Sequence, residues 1–223
     1  GVIGQFPGTK SLDHLISSIG IKNTDHVIIV YGGVNSTDFG SAARIYWTFK
    51  TIGHENVSIL NGGFKEWKKA GYQTVSGENQ ITPSSFKSKL NKKYFASFSE
   101  VKKAEKEKNG LCLIDARPAS FFAGEKKTPE ARTAGRIKNA VNLEQQKTTS
   151  DNGKIKSKSE IKKMFTALQI DEYKGYISYC NTGHWAATVW FALSEQAEIP
   201  NVKLYDGGMV GWTVNPKNEV VSG

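Results

Sequence analysis

The sequence predicts an α/β fold built twice, each unit a parallel sheet flanked by helices. Three observations carry this. Short β-rich runs alternate with helical periodicity, the pattern of parallel strands covered on both faces. An ordered series of features occurs once in each half of the 223-residue chain. Hydrophobic residues make up 38% and charged residues 23%, a balance that can fill an apolar core beneath a charged surface.

The repeat follows the chain in order. A helix over Ser11 to Ile19 precedes the strand run Val27-Ile28-Ile29-Val30-Tyr31-Gly32. A polar turn leads to a helix that opens on Ala42-Ala43 and continues through Ile45, Tyr46, Trp47 and Phe49. A second strand, Val57 to Leu60, runs into Asn61-Gly62-Gly63-Phe64-Lys65-Glu66-Trp67. The same series returns later. A helix over Ser159 to Leu168, with Ser157 and Glu160 spaced as a capping box, precedes Gly175-Tyr176-Ile177-Ser178-Tyr179-Cys180. Then come Ala186-Ala187, Val189, Trp190, Phe191 and Leu193, the strand Val202 to Tyr205, and Asp206-Gly207-Gly208-Met209-Val210-Gly211-Trp212.

The second unit carries an additional front section. Ser97-Phe98-Ser99-Glu100 is another capping-box pattern, opening a helix expected to stop near Asn109-Gly110. The run Leu111 to Pro118 reads as a buried strand entering a polar turn, followed by the segment Ala134 to Leu143. The first unit holds only the tail of this section, Gly4 to Thr9, and is expected to lack about 40 residues relative to the second. A further N-terminal segment or a separate chain is therefore expected to complete it. The expected division is residues 1–75 for an incomplete first unit, 76–96 for a polar linker with one extended stretch near Phe86 to Leu90, and 97–223 for the second unit.

Composition removes several function classes. The formal charge is +9, but the lysines lie in solvated runs with interleaved glutamate, such as Lys102 to Lys108, without the aromatic-basic alternation of single-strand binders. No nucleic-acid partner is expected. No apolar run reaches the length of a membrane span, so the expectation is a soluble chain of the cytoplasm or periplasm. Two cysteines make no disulfide framework, and His14, His26, His54 and His184 have no metal-ligand spacing, so neither metal nor other cofactor is expected.

Cys180 is the candidate nucleophile. It follows a strand and precedes a helix in Tyr179-Cys180-Asn181-Thr182-Gly183-His184-Trp185-Ala186. Sites in open parallel sheets lie beyond the carboxyl ends of the strands. A short glycine-containing loop can turn successive N–H groups inward, and the helix behind adds its positive end. A cysteine placed there is expected to have a lowered pKa and to react as thiolate. Cys112, in mid-strand, reads as a packing residue. Asn181, Thr182 and Gly183 are candidates to contact a substrate, though such residues also favour turns. His184 offers charge or a proton, or else faces solvent from the first helical turn. Trp185 shapes or packs the pocket. The cysteine-phosphatase reading fails because the position six residues after Cys180, where that chemistry needs an arginine, is Ala186. A thiol oxidoreductase would need a Cys-x-x-Cys pair, which is missing.

These residues resemble the rhodanese family, specifically its tandem-domain sulfurtransferases that use thiosulfate or 3-mercaptopyruvate. Four motifs occur in the family's order: Leu113 to Pro118 through Phe122-Ala123-Gly124-Glu125, Ala134 to Asn142, the loop Tyr179 to Trp185, and Asp206 to Trp212. The resemblance implies two rhodanese-like domains and a sulfane sulfur carried as a persulfide on Cys180 from a small donor to a thiol or cyanide acceptor. It implies substrate contacts from Asn181, Thr182, Gly183, His184, Trp185 and Arg117. Arg117 has a second reading, as the structural partner of an acidic neighbour. Thiosulfate-using members place basic residues where Asn181 and Thr182 stand, which leaves Arg117, Arg132, Arg136 and His184 to balance an anionic donor. The first unit is read as non-catalytic because Gly32 stands opposite Cys180 and its loop, counted to Ala42, takes 10 steps against 6 for Cys180 to Ala186. The alternative is a module without turnover, a persulfide carrier or partner-binding domain.

Overall fold

A computed structural model of the chain describes residues 4–106 and 110–223. The first half contains α1 (Thr9–Ser18), β1 (Val27–Ile29), α2 (Ser36–Thr51), β2 (Val57–Ile59) and α3 (Gly63–Lys69). The second contains α4 (Phe98–Ala104), β3 (Leu111–Asp115), α5 (Ala119–Phe122), β4 (Arg136–Ile137), β5 (Val141–Asn142), α6 (Lys158–Thr166), β6 (Gly175–Tyr179), α7 (His184–Phe191), β7 (Val202–Leu204), α8 (Gly208–Thr213) and β8 (Val220–Val221). The expected end of α4 at Asn109-Gly110 falls partly outside the described residues.

Both capping boxes form. Ser97 and Ser157 accept the N–H groups of Glu100 and Glu160, and each glutamate accepts the serine's own N–H. This satisfies donors that a helix start leaves unpaired.

The second half is organised by a four-stranded parallel sheet of order β5-β3-β6-β7. All five residues of β6 are buried, as expected of a central strand covered on both faces. In the first half, β1 and β2 form a two-stranded parallel sheet. The two sheets superimpose by their ladders: Ile29 pairs with Ile59 as Ser178 pairs with Leu204. On that register β1 corresponds to β6 and β2 to β7. Among the described residues no strand pairs with the edge of β1 that corresponds to the one β6 offers to β3.

The segment 76–96 folds back over the first half. Phe86 is buried, its N–H donates to Ser17 Oγ, and Lys89 N–H donates to Ile52 O at 2.8 Å. The stretch expected to be extended is thus held by hydrogen bonds to Asp13 and Ser17 of α1, to Asn23 and to Ile52, and joins no sheet.

The halves meet through α2 and α7. Phe39 and Tyr46 of α2 make edge-to-face contacts with Phe191, at centroid distances of 5.5 and 5.0 Å. Helix α7 is apolar on nearly every side, because it is covered by its own sheet and by α2. At the narrow point, a Cβ on Gly40 would lie 2.8 Å from His184 Cε1, so only glycine permits this approach.

Candidate active site

Cys180 sits just past the end of β6 and is 1% exposed. Gly183, at φ 89°, ends the loop and caps α7. This left-handed conformation turns its N–H back onto Cys180 Sγ, at 3.1 Å. The N–H groups of Ala186 and Thr182 also favour negative charge on the sulfur. One N–H of the expected nest, that of Gly183, thus meets the sulfur at hydrogen-bond distance.

The expected lowered pKa does not follow from it. Burial pushes the Cys180 thiol above its ordinary value. The N–H groups of Ala186, Thr182 and Gly183 pull it down, and the Asp115 carboxylate adds to the upward push. Desolvation wins because the sulfur lies within the protein rather than at its surface. Cys112 is buried in mid-strand and its thiol is pushed up to about 12 by burial.

Beneath the loop lies a buried ion pair. Arg117 Nη2 is 2.6 Å from Asp115 Oδ2, and its Nε donates to Asp115 Oδ1 at 2.9 Å. Nη2 also donates to Gly135 O, and Nη1 reaches Asn181 Oδ1 at 3.4 Å. Arg117 therefore supports the loop from below through Asn181, with its strongest contacts on its own strand end. Of the other arginines expected to balance an anion, Arg136 donates to Phe122 O and Gly223 O, and Arg132 is exposed.

His184 is half-buried. Its ring lies against α2, where Nε2 and Ser41 Oγ share a hydrogen bond of 3.2 Å. Burial, then the Arg44 guanidinium, lowers its pKa, so it is neutral at neutral pH and brings no positive charge to the loop. Trp185 packs edge-to-face on Phe121 at 6.0 Å. Thr182 lies under Gly4, whose Cβ would stand 3.0 Å from Thr182 O.

Two residues not singled out in the sequence complete this surround. Asp206, opening the Asp-Gly-Gly turn, accepts Phe6 N–H at 2.5 Å and lies 3.5 Å from Arg44 Nη2. The Asp-Gly-Gly motif was visible in the sequence; Arg44, on the other unit's helix, left no such signal.

The opposite loop corrects the expected pairing of the repeats. Met209 N–H donates to Cys180 O and Val210 N–H to Asn181 O. Their counterparts are Phe64 N–H to Tyr31 O and Lys65 N–H to Gly32 O. Tyr31, not Gly32, therefore stands opposite Cys180. The two Tyr residues that ended both strand runs suggested an alignment one residue out of step. Tyr31 is buried, its hydroxyl donates to Gly153 O and accepts from Gly62 N–H, both at 2.8 Å. The Asp38 carboxylate takes the loop N–H groups of Gly32 and Val34.

The chain is similar to known proteins over most of its length. The rhodanese-like domain family model matches residues 4–70 and 97–215. The thiosulfate sulfurtransferase of Bos taurus is 31% identical over 212 residues, covering 93% of this chain and 69% of that protein. The Escherichia coli 3-mercaptopyruvate sulfotransferase SseA superimposes with a TM-score of 0.80 at 28% identity, covering 92% of this chain and 74% of that one. EanB in complex with ergothioneine superimposes with a TM-score of 0.87 at 20% identity, a likeness of fold; this chain spans 56% of its length. Among the described residues no helix is long and apolar enough to cross a membrane. With both repeats matched and a cysteine held in the loop after β6, the chain belongs to the rhodanese family of sulfurtransferases.

Proposed function

We propose that Cys180 carries the transferred sulfur as a persulfide. The observation behind this reading is the single hydrogen bond from Gly183 N–H to Cys180 Sγ, in a loop whose other N–H groups also favour sulfur as an anion. Cys180 first loses its proton to solvent. The thiolate attacks the outer sulfur of thiosulfate, the donor's S–S bond breaks, and sulfite leaves with the electron pair. With 3-mercaptopyruvate the C–S bond breaks instead, and the carbon takes a proton to give pyruvate. Cyanide or a thiolate then attacks the terminal persulfide sulfur and restores the Cys180 thiolate. Asn181, Thr182, Gly183 and Trp185 line the loop where the donor would approach, and Arg117 acts there through Asn181.

The second reading, a carrier without fast turnover, has one observation in its favour: Arg117 spends its strong contacts on Asp115 and Gly135. The donor panel separates the two. A transferase releases thiocyanate from thiosulfate and cyanide, or pyruvate from 3-mercaptopyruvate, and loses this as Cys180→Ser. A carrier gains one sulfur atom by intact mass without turnover. Turnover unchanged in Cys180→Ser would refute the assignment.

On the same reading, residues 1–75 form a non-catalytic unit, 76–96 a linker and 97–223 the catalytic unit. Tyr31 in the place of the cysteine supports the first assignment. The edge of β1 that no described residue pairs supports a further strand completing the first sheet.

A further inference from the structure

The first unit brings a charged group, Arg44, against the Cys180 loop. Arg44, on α2, lies with its guanidinium against the back of the loop. A Cβ built on Gly183 would stand 2.7 Å from Arg44 Nη1. Nη2 donates to Gly4 O at 2.9 Å and faces Asp206 Oδ2 at 3.5 Å. The guanidinium stacks over Trp47, 4.5 Å from the ring centroid. Nη1 is buried and has no hydrogen-bond partner among the described residues. A planar cation pinned at several points cannot move without releasing the groups that it touches.

Those groups are the ones that shape the loop. Gly183 supplies the N–H that meets Cys180 Sγ. Asp206 begins the turn whose Met209 and Val210 N–H groups hold the Cys180 and Asn181 carbonyls. Gly4 lies over Thr182. The counterpart on the first unit is uncharged at the corresponding turn: Asn61 Oδ1 accepts Ile155 N–H, as Asp206 accepts Phe6 N–H. The carboxylate therefore occurs at the turn beside the cysteine, and the arginine that faces it comes from α2 of the other unit.

We infer that Arg44 is a positioning residue supplied by the non-catalytic unit. It holds Gly183 and Asp206 in place so that the Gly183 N–H stays aimed at Cys180 Sγ. The first unit thereby sets the reactivity of a cysteine that it does not contain. The inference rests on Cys180 being the reactive group, and its first readout needs no sulfur donor.

Arg44→Gln and Arg44→Lys would be compared with the unaltered chain by the pH dependence of Cys180 alkylation with iodoacetamide, located by peptide mass. Circular dichroism and thermal melting report folding. A loosened N–H raises the thiol's apparent midpoint, by about half a pH unit in Arg44→Gln, with a smaller change in Arg44→Lys. With thiosulfate and cyanide, kcat falls roughly tenfold in Arg44→Gln while KM stays within about threefold. A folded Arg44→Gln with an unchanged alkylation profile overturns the inference. So does a raised KM at unchanged kcat, which would make Arg44 a donor-binding group. If Arg44→Gln fails to fold, the alkylation profile of Arg44→Lys decides, and no shift there also overturns it. Absence of sulfur transfer in the unaltered chain would count against the proposed function alone, since alkylation still reads the loop.

Discussion

Tyr31 and Cys180 occupy the same place in the two repeats, each with its carbonyl held by an N–H from the Gly-Gly turn of its own unit, at 2.7 and 2.8 Å. One position thus bears a buried thiol in one unit and a buried phenol in the other. The phenol is a structural part: it bonds Gly153 of the second unit and Gly62 of its own.

Replacing Tyr31 by cysteine in a Cys180→Ser background is expected to give no thiocyanate from thiosulfate and cyanide. The Asp38 carboxylate already takes the N–H groups of Gly32 and Val34, and it would repel a thiolate beside them. Tyr31→Phe removes one hydroxyl and leaves Gly62 N–H and Gly153 O unpaired. A loss of about 1–3 kcal/mol in urea denaturation is expected, since buried groups are left without partners.

Arg117→Ala strands the Asp115 carboxylate in the interior and is expected to destabilise the chain by about 3–5 kcal/mol in urea denaturation. Replacing Asp115 and Arg117 together by apolar residues of similar size should cost less than this single change. If the single change costs under about 1 kcal/mol, the pair does not hold the loop.

Burial raises the Cys180 thiol, so its reactivity should climb with pH through and beyond the range in which a free thiol titrates. The sign follows from the thiolate being the nucleophile: at a given pH a raised pKa leaves less of it. Iodoacetamide alkylation of Cys180, followed by peptide mass from pH 6 to 10, should rise later than a thiol in an unfolded peptide. Cys112, pushed up to about 12 and enclosed in β3, should remain unlabelled while the chain is folded. Labelling of Cys112 ahead of Cys180 would contradict both placements.

Gly40→Ala tests the docking of the two halves. The added methyl would meet His184 Cε1 at 2.8 Å and Thr188 Oγ1 at 3.0 Å, so α2 must withdraw from α7. Overpacking of this kind costs about 1–3 kcal/mol, read as a lowered melting temperature. An unchanged melt would show that the helices separate at no cost.

The elements that the sequence announced are those whose signals are local. The capping boxes and the paired Gly-Gly turns depend on neighbours a few residues away and formed, and the two strand runs formed in shortened extent, as Val27–Ile29 and Gly175–Tyr179. The segment 86–90 also reads as extended, yet its partners lie on α1 and at the end of α2, which no local pattern names. The alignment of the repeats fails by one residue for a similar reason. Tyrosines at 31 and 179 look alike in sequence, whereas hydrogen bonds from turns some thirty residues downstream fix which of them is equivalent.

Loop position and the small residues around it were enough to select Cys180 from the sequence, because a strand-to-helix loop is where backbone N–H groups converge. Tertiary structure decided everything that depends on what else comes near. It set the thiol's pKa upward, since burial outweighs the loop's N–H groups. It turned His184 toward α2, tied Arg117 to Asp115, and brought Arg44 from the other unit onto Gly183. Desolvation and charge act through distance in space, and the residues responsible are far apart along the chain.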